Sequence, residues 1–550
     1  MTIVNPITPL EAFYKRVEST PNKVYLRQPR GARWQEFTWV ETQDIVRKLA
    51  QKLKDLGINP GDRVAILAKN SAFWFMSDLA IMMVGAVSVP LYPTQTDESM
   101  TYVLNHSEAK AIFLGKLDRP MASGVMSDEI IKINMPGSKY ESADQQWDEI
   151  VWETAPIDTL PKWPEQQLAT IVYTSGTTGN PKGVMHTFES LAFAAANFSD
   201  HLNFNPNDRY LSYLPLSHIA ERALVEMSSF YSGGTVSFVE SMDSFSDNLT
   251  SVSPTVFFSV PRLWQKFHDA VCEKMPPKKL DRLLKIPILS GIVAKKIRVK
   301  LGLNDAKAIG SGAAAIAPDL LNWYKRIGIN ITEGYGQTEA VGYSTVNTND
   351  AIKIGTVGQA LPGVELKLSE EGELLTRSKA NMLGYYNAPK ATAETFEDGF
   401  IKTGDLAQID NQGFVSITGR LKDTFKTDKG KFVAPVPIEN RIISHPAIEQ
   451  LCLVGSGVPQ PVALVVPTEA ARKLPKKVLE KDLTTIKDMV NLKLQNHEQI
   501  DKIIVVKDEW TQEKGFLTPT LKLRRHLVEK HYSPVAQTTK TVSETVLWET

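Results

Sequence analysis

Residues 174–183 read Thr-Ser-Gly-Thr-Thr-Gly-Asn-Pro-Lys-Gly, directly after the apolar run LATIVY at 168–173. The apolar run predicts a short buried strand, so the small-residue loop sits at a strand end. Glycines let backbone N–H groups turn inward around an anion. Thr174, Ser175, Thr177 and Thr178 add hydroxyl donors around Gly176, and Lys182 adds a positive charge. That chemistry grips a polyphosphate. It is not the common P-loop, in which Lys follows the last Gly, because here Lys182 precedes Gly183.

Outward from this loop the pattern repeats. RVAILA at 63–68, an apolar helical stretch, and AVSVP at 86–90 form a strand–helix–strand unit. The apolar region 73–91 contains Asp78 and ends around Pro90, so it reads as a buried βαβ unit and not as a membrane span. KAIFLG, GGTVSFV and TVFFSVP extend the alternation, which predicts doubly wound parallel sheets covered by helices. From residue 357 to 421 the texture shifts to frequent glycines and short alternating segments, a smaller β-rich unit. Beyond it, PIENRIISHPAI, LCLVG, VALVVP, a Lys-rich helical region and DKIIVV make a compact α+β domain. The last stretch, SPVAQTTKTVSETVLWET, has little periodicity and is expected to be a mobile tail.

At 550 residues the chain needs more than one core. The 62 basic residues balance 62 acidic ones, so no overall field recruits nucleic acid. Two distant cysteines, Cys272 and Cys452, suggest neither a disulfide framework nor a metal site, and they fit a reducing cytoplasm. The nine histidines form no closely spaced ligand pair, and the N-terminus lacks a secretory pattern.

Three further motifs carry chemistry. In EGYGQTEA, 333–340, Tyr335 between Gly334 and Gly336 offers a flat face to a base. Thr338 can bond a phosphate, and Glu339 can hold Mg²⁺ against phosphate oxygens. In KTGDLA, Asp405 can accept two ribose hydroxyls. In GRLKDTFKTDKGKFVAPVPIE, 419–439, Arg420 can reach ribose or phosphate, and the loop around Gly430 can approach a second substrate.

Together, in order and spacing from about residue 10 to 530, these motifs resemble the adenylate-forming (AMP-binding) superfamily. The extended KDTFKTDKGKFVAPVPIEN and KGFLTPTLKLRR segments resemble its long-chain fatty acyl-CoA synthetase branch. The resemblance implies a large N-terminal domain over 1–418, a hinge at 419–424 about Lys422, and a small mobile C-terminal domain over 425–533, with 534–550 as tail. It implies ATP, Mg²⁺ and a fatty acid as ligands and coenzyme A as co-substrate. Thr177 and Glu339 would face the metal, and Thr338 the α-phosphate. SYLPLSHIAER and GSGAAAIAP match segments that border the acyl and AMP pockets, which brings in His218, Gly312 and Ala313. His218 on its own reads as a core histidine; only its motif argues otherwise. Lys522 matches the adenylation lysine near the chain end, although Leu521 replaces the usual Gly before it.

Rival readings are a ligase that loads a carrier protein, a carboxylate reductase and a non-catalytic ATP-binding relative. The first usually has an insertion that is not evident here. The short stretch after Lys522 argues against the second, and intact Lys182, Glu339, Asp405 and Lys522 against the third. A homodimer stays open. Segment 278–300, KKLDRLLKIPILSGIVAKKIRVK, sets eight cations from Lys278 to Lys300 against Asp281. The commoner outcome for such a stretch is a helix pair with a buried apolar face. The alternative is a peripheral contact with the inner face of a membrane.

Overall fold

The computed structural model describes residues 3–31, 33–174, 180–443, 445–518, 522–539 and 542–549. The strand Leu168–Thr174 lies inside an eight-stranded sheet, between Val87–Leu91, which runs parallel to it, and Lys182–Thr187, which runs antiparallel. Arg63–Leu67 and Ala109–Leu114 continue the parallel part. A second, nine-stranded sheet holds Thr235–Phe238, Arg209–Ser212, Val256–Ser259, Ala308–Ser311 and Thr332–Tyr335 side by side, all parallel.

One hydrophobic core joins the two sheets. The helix Ala72–Met83 is buried at every position, including Ser77 and Asp78. A helix apolar all round belongs in an interior, and its length is short of a bilayer span. Among the described residues, no helix is long and apolar enough to cross a membrane. Amphipathic helices that pack one face into this core start at local signals: Thr8 with Glu11, and Thr38 with Glu41, form reciprocal caps at Pro9–Ser19 and Trp39–Asp55.

The expected β-rich unit is a five-stranded sheet built on the ten-residue strand Phe400–Ile409, paired with Glu373–Arg377 on one edge and Val415–Arg420 on the other. After the single turn Leu421–Asp423 come the helix Pro435–Ile442 and a sheet of Ile448–Val454, Val462–Pro467 and Lys502–Val505, with its own cores.

The tail expected over 534–550 is not what the structure shows. The helix Arg525–Thr538 runs through Pro534, and Val546–Trp548 adds a parallel strand to Lys502–Val505. Three residues are too few to display a period of two. Anchorage comes from Trp548, whose indole N–H donates to Glu480 and whose ring sits 4.7 Å below the Lys476 ammonium.

Segment 278–300 folds as Pro277–Leu284 and Leu289–Lys300. Leu280, Ala294 and Ile297 face the core, whereas Ile286, Ile288, Leu289, Ile292 and Val299 are exposed.

Candidate active site

A cleft of about 2090 Å³ opens where the sheets, the β-rich unit and the C-terminal domain meet. Its floor is a carboxylate. Asp405, 5% exposed, accepts the Tyr335 hydroxyl at 2.7 Å and the Gln337 amide at 2.8 Å on one oxygen, and Arg420 Nε at 2.7 Å on the other. Asp405 and Arg420 reach each other because their strands pair in register. A carboxylate has about four acceptor positions, so capacity remains for one sugar hydroxyl. Burial, followed by the charge of Asp405, raises the Tyr335 phenol well above its ordinary range, so it stays a donor.

The glycines here answer to space. A Cβ on Gly336 would lie 2.1 Å from the Gly342 carbonyl oxygen. One on Gly312 would meet Phe258 at 2.9 Å and the Gly334 carbonyl oxygen at 3.0 Å. Ala313 adopts φ +65°, a left-handed conformation uncommon for a residue with a side chain.

Thr174 and Lys182 line another side of the cleft as register partners. Ser175, Gly176, Thr177 and Thr178 lie outside the described residues. Glu339, in the turn Thr338–Ala340, accepts the Tyr385 hydroxyl at 2.7 Å, and the Tyr385 ring lies 4.9 Å from the Lys182 ammonium. The buried His186 Nε2 bonds the Thr338 carbonyl at 2.7 Å, fixing the same turn from below. Among the described residues, no cluster of three or more His, Cys, Asp or Glu could hold a metal ion. One carboxylate near a lysine instead suits Mg²⁺ that arrives on a polyphosphate and keeps water and phosphate oxygens as its other ligands.

On the opposite wall, His218 Nδ1 accepts the Ala220 N–H at 3.2 Å, which leaves the ring proton on Nε2. Burial, with help from the Lys522 charge, holds this imidazole down to about 3, so it is neutral. Burial pushes the neighbouring Glu221 up to about 8, against hydrogen bonds from Ser212 and the Tyr213 N–H. Lys522 enters from the C-terminal domain. Its N–H donates to Thr518 Oγ1 at 3.0 Å and its carbonyl accepts the Thr518 N–H at 2.8 Å, so pairing with Thr518 holds its main chain. It keeps contact with solvent yet is ringed by protein atoms. Dehydration, then Arg420, lowers its pKa, while Asp405 and Glu339 oppose that shift.

Thr174, Lys182, His218, Gly312, Ala313, Gly334, Tyr335, Gly336, Thr338, Glu339, Asp405, Arg420, Lys422 and Lys522 all line this one cleft. Gly430 does not. It sits at φ +79° in the exposed hairpin between Phe425–Lys426 and Phe432–Val433. Sequence reasoning missed the structural parts of Gln337, Tyr385 and His186, and it missed Glu333, a cleft residue pushed up to about 7 by burial. Gln337 and Glu333 stood inside a quoted motif. The doublet Tyr385-Tyr386 carried no signal of its own.

Comparisons with known proteins identify the family. An AMP-binding enzyme model matches residues 13–386, and a model of the AMP-binding enzyme C-terminal domain matches 422–539. The chain is 31% identical over 561 residues to the long-chain-fatty-acid–CoA ligase FadD15 of Mycobacterium bovis, covering 93% of both chains. It is 28% identical to fatty acyl-CoA synthetase A of Dictyostelium discoideum, covering 92% of this chain and 86% of that one. The crystal structure of the anthranilate CoA ligase AuaEII with anthranoyl-AMP shares the fold, with TM-score 0.81 and 20% identity over 98% of this chain and 100% of that one. The chain belongs to the AMP-binding enzyme family.

Proposed function

We propose that this protein is an AMP-forming long-chain fatty acyl-CoA synthetase. A fatty carboxylate attacks the α-phosphorus of ATP, the carboxylate–phosphorus bond forms, and pyrophosphate leaves. The thiol of coenzyme A then attacks the acyl carbon, giving acyl-CoA and AMP. No side-chain nucleophile is needed, because the substrate carboxylate is already ionised at neutral pH. Charge builds on the pentavalent phosphorus, so fixed cations and donors supply most of the catalysis.

The observation that carries this reading is that Lys522, a cation of the C-terminal domain, lines the same cleft as Asp405, Glu339 and His218. In the proposal, Lys522 bridges carboxylate and α-phosphate, and Asp405 with Arg420 fixes the ribose. The ring of Tyr335 packs on adenine. Thr174, Lys182 and the hydroxyls between them hold the β- and γ-phosphates. Glu339 and Thr177 would face Mg²⁺, which would supply neutralisation of phosphate charge when bound. After adenylation the C-terminal domain turns about Lys422, withdraws Lys522 and brings the Gly430 hairpin to the thiol channel. The position of Gly430 outside the cleft supports this order, since the present arrangement serves the first half-reaction.

Apolar side chains in the lining of the cleft support a fatty substrate, among them Phe198, Leu202, Phe204, Leu211, Ala223 and Leu224. One wall is the π-helix Arg222–Met227, a widened turn often found at functional sites. The proposal extends to a cytoplasmic enzyme that rests on the inner face of a membrane through segment 278–300, where apolar side chains and lysines are exposed together.

The test is AMP release over acids of increasing length, with coenzyme A or a phosphopantetheine-bearing carrier protein as acceptor. Long-chain acids with coenzyme A should give the highest kcat/KM. Release only with the carrier would overturn the acceptor assignment, and none with either acceptor would overturn the enzyme.

A further inference from the structure

The phosphate-gripping lysine and the metal-facing carboxylate come from separate motifs, and one side chain touches both. Tyr385 is 8% exposed. Its strand, Gly384–Tyr385, pairs with Lys182–Thr187, and Tyr385 is the register partner of Val184. Its backbone N–H donates to Thr392 Oγ1 at 2.9 Å, and Thr392 in turn bonds the Ala388 carbonyl at 3.0 Å. The ring is therefore held from the strand and from the helix Pro389–Thr395. Its hydroxyl donates to Glu339 Oε1 at 2.7 Å, and its face lies 4.9 Å from Lys182 Nζ.

We propose that Tyr385 is a positioning residue for the adenylation half-reaction: its hydroxyl aims the Glu339 carboxylate at Mg²⁺, and its ring holds the Lys182 ammonium toward the β- and γ-phosphates. The proposal rests on the reading of Glu339 and Lys182 given above. The physical reasons are separable. A hydrogen bond to one carboxylate oxygen fixes the carboxylate's rotation and leaves the other oxygen for the cation. Partners of this kind typically change metal affinity or activity about 10–100-fold when removed. The aromatic face attracts the ammonium electrostatically without neutralising it, so the charge stays available to phosphate. Burial, with the Glu339 charge adding, raises the Tyr385 phenol out of the titrating range, so the donor persists at every working pH.

Two variants separate the roles. Tyr385→Phe keeps the ring and loses the hydroxyl; Tyr385→Leu loses both. ATP and AMP binding are measured by calorimetry without fatty acid, across a range of Mg²⁺ concentrations, with thermal unfolding as a check on folding. Tyr385→Phe should need about tenfold more Mg²⁺ for half-maximal ATP binding, with ATP affinity restored at saturating Mg²⁺. Tyr385→Leu should stay weak for ATP even there, and both variants should bind AMP like the wild type. An unchanged Mg²⁺ requirement in Tyr385→Phe would overturn the hydroxyl's role. Equal ATP affinity for the two variants at saturating Mg²⁺ would overturn the ring's role. Equal loss of AMP binding would mean that Tyr385 acts only on the fold. Absence of ATP binding by the wild type would instead refute the functional reading beneath.

Discussion

In the proposed reaction Lys522 is the residue on which the chemistry turns. Most lysines on this chain are solvated and replaceable, and what distinguishes this one is company. It lines one cleft with Asp405, Glu339, Arg420 and the neutral imidazole of His218. Lys522→Ala should therefore lower adenylation by about 10²–10³-fold, the usual loss for one preorganised charge contact. Thioester formation from supplied acyl-adenylate should persist, because that step runs with the lysine withdrawn. Pyrophosphate release and acyl-CoA formation, followed separately, check this, and equal losses in both would reject the role. The surrounding residues show where sequence reading stops. Asp405 and Tyr335 were each legible in their motifs, but not the 2.7 Å bond between them, which spans 70 positions. Arg420 was read as reaching ribose or phosphate; in the folded chain it bonds Asp405, through strand register. Tyr385 stayed invisible because its partners lie 46 and 203 positions away, and a Gly-Tyr-Tyr run has many uses.

At the scale of elements, strands that are apolar on both faces were the most legible. LATIVY, RVAILA and VALVVP appear as Leu168–Thr174, Arg63–Leu67 and Val462–Pro467. Burial from both sides leaves a continuous apolar run that helices do not need. Two-residue strands such as Gly384–Tyr385 and Thr345–Val346 were not legible, because pairing geometry alone makes them. The turn Leu421–Asp423 is the element on which domain movement depends in the proposed cycle. A proline at 422 fixes φ there and restricts Leu421 before it, so a turn that must change its angles is stiffened. Lys422→Pro should leave acyl-AMP formation near normal and slow transfer to coenzyme A, as read by single-turnover assays of each half-reaction. Undiminished acyl-CoA production would remove Lys422 as the pivot.

The whole molecule raises the question of how a poorly soluble substrate reaches the cleft. Segment 278–300 folds as a helix pair whose loop turns apolar side chains outward. Ile288, 83% exposed, holds φ +69°, a conformation costly for a β-branched residue. Such a side chain in water at a strained position gains by entering a bilayer interface. Lys278, Lys279, Lys285, Lys295, Lys296 and Lys300 are exposed around it, and each contributes about 1 kcal/mol near an anionic surface. Arg298 is not part of this set, because its guanidinium bonds the Ile327 carbonyl at 2.7 Å. Charge attraction is screened over about 8 Å at physiological salt, so binding should weaken as salt rises, with a salt-resistant remainder from the apolar tip. In co-sedimentation with anionic liposomes, the wild type should pellet at low salt and partly release at high salt. Lys295→Glu with Lys296→Glu and Lys300→Glu should abolish the salt-sensitive part, and Ile288→Asp the remainder, while acyl-CoA synthesis from detergent-dispersed acid stays intact. Equal pelleting of all three proteins would leave the segment as an ordinary helix pair, and the substrate would have to arrive by another face.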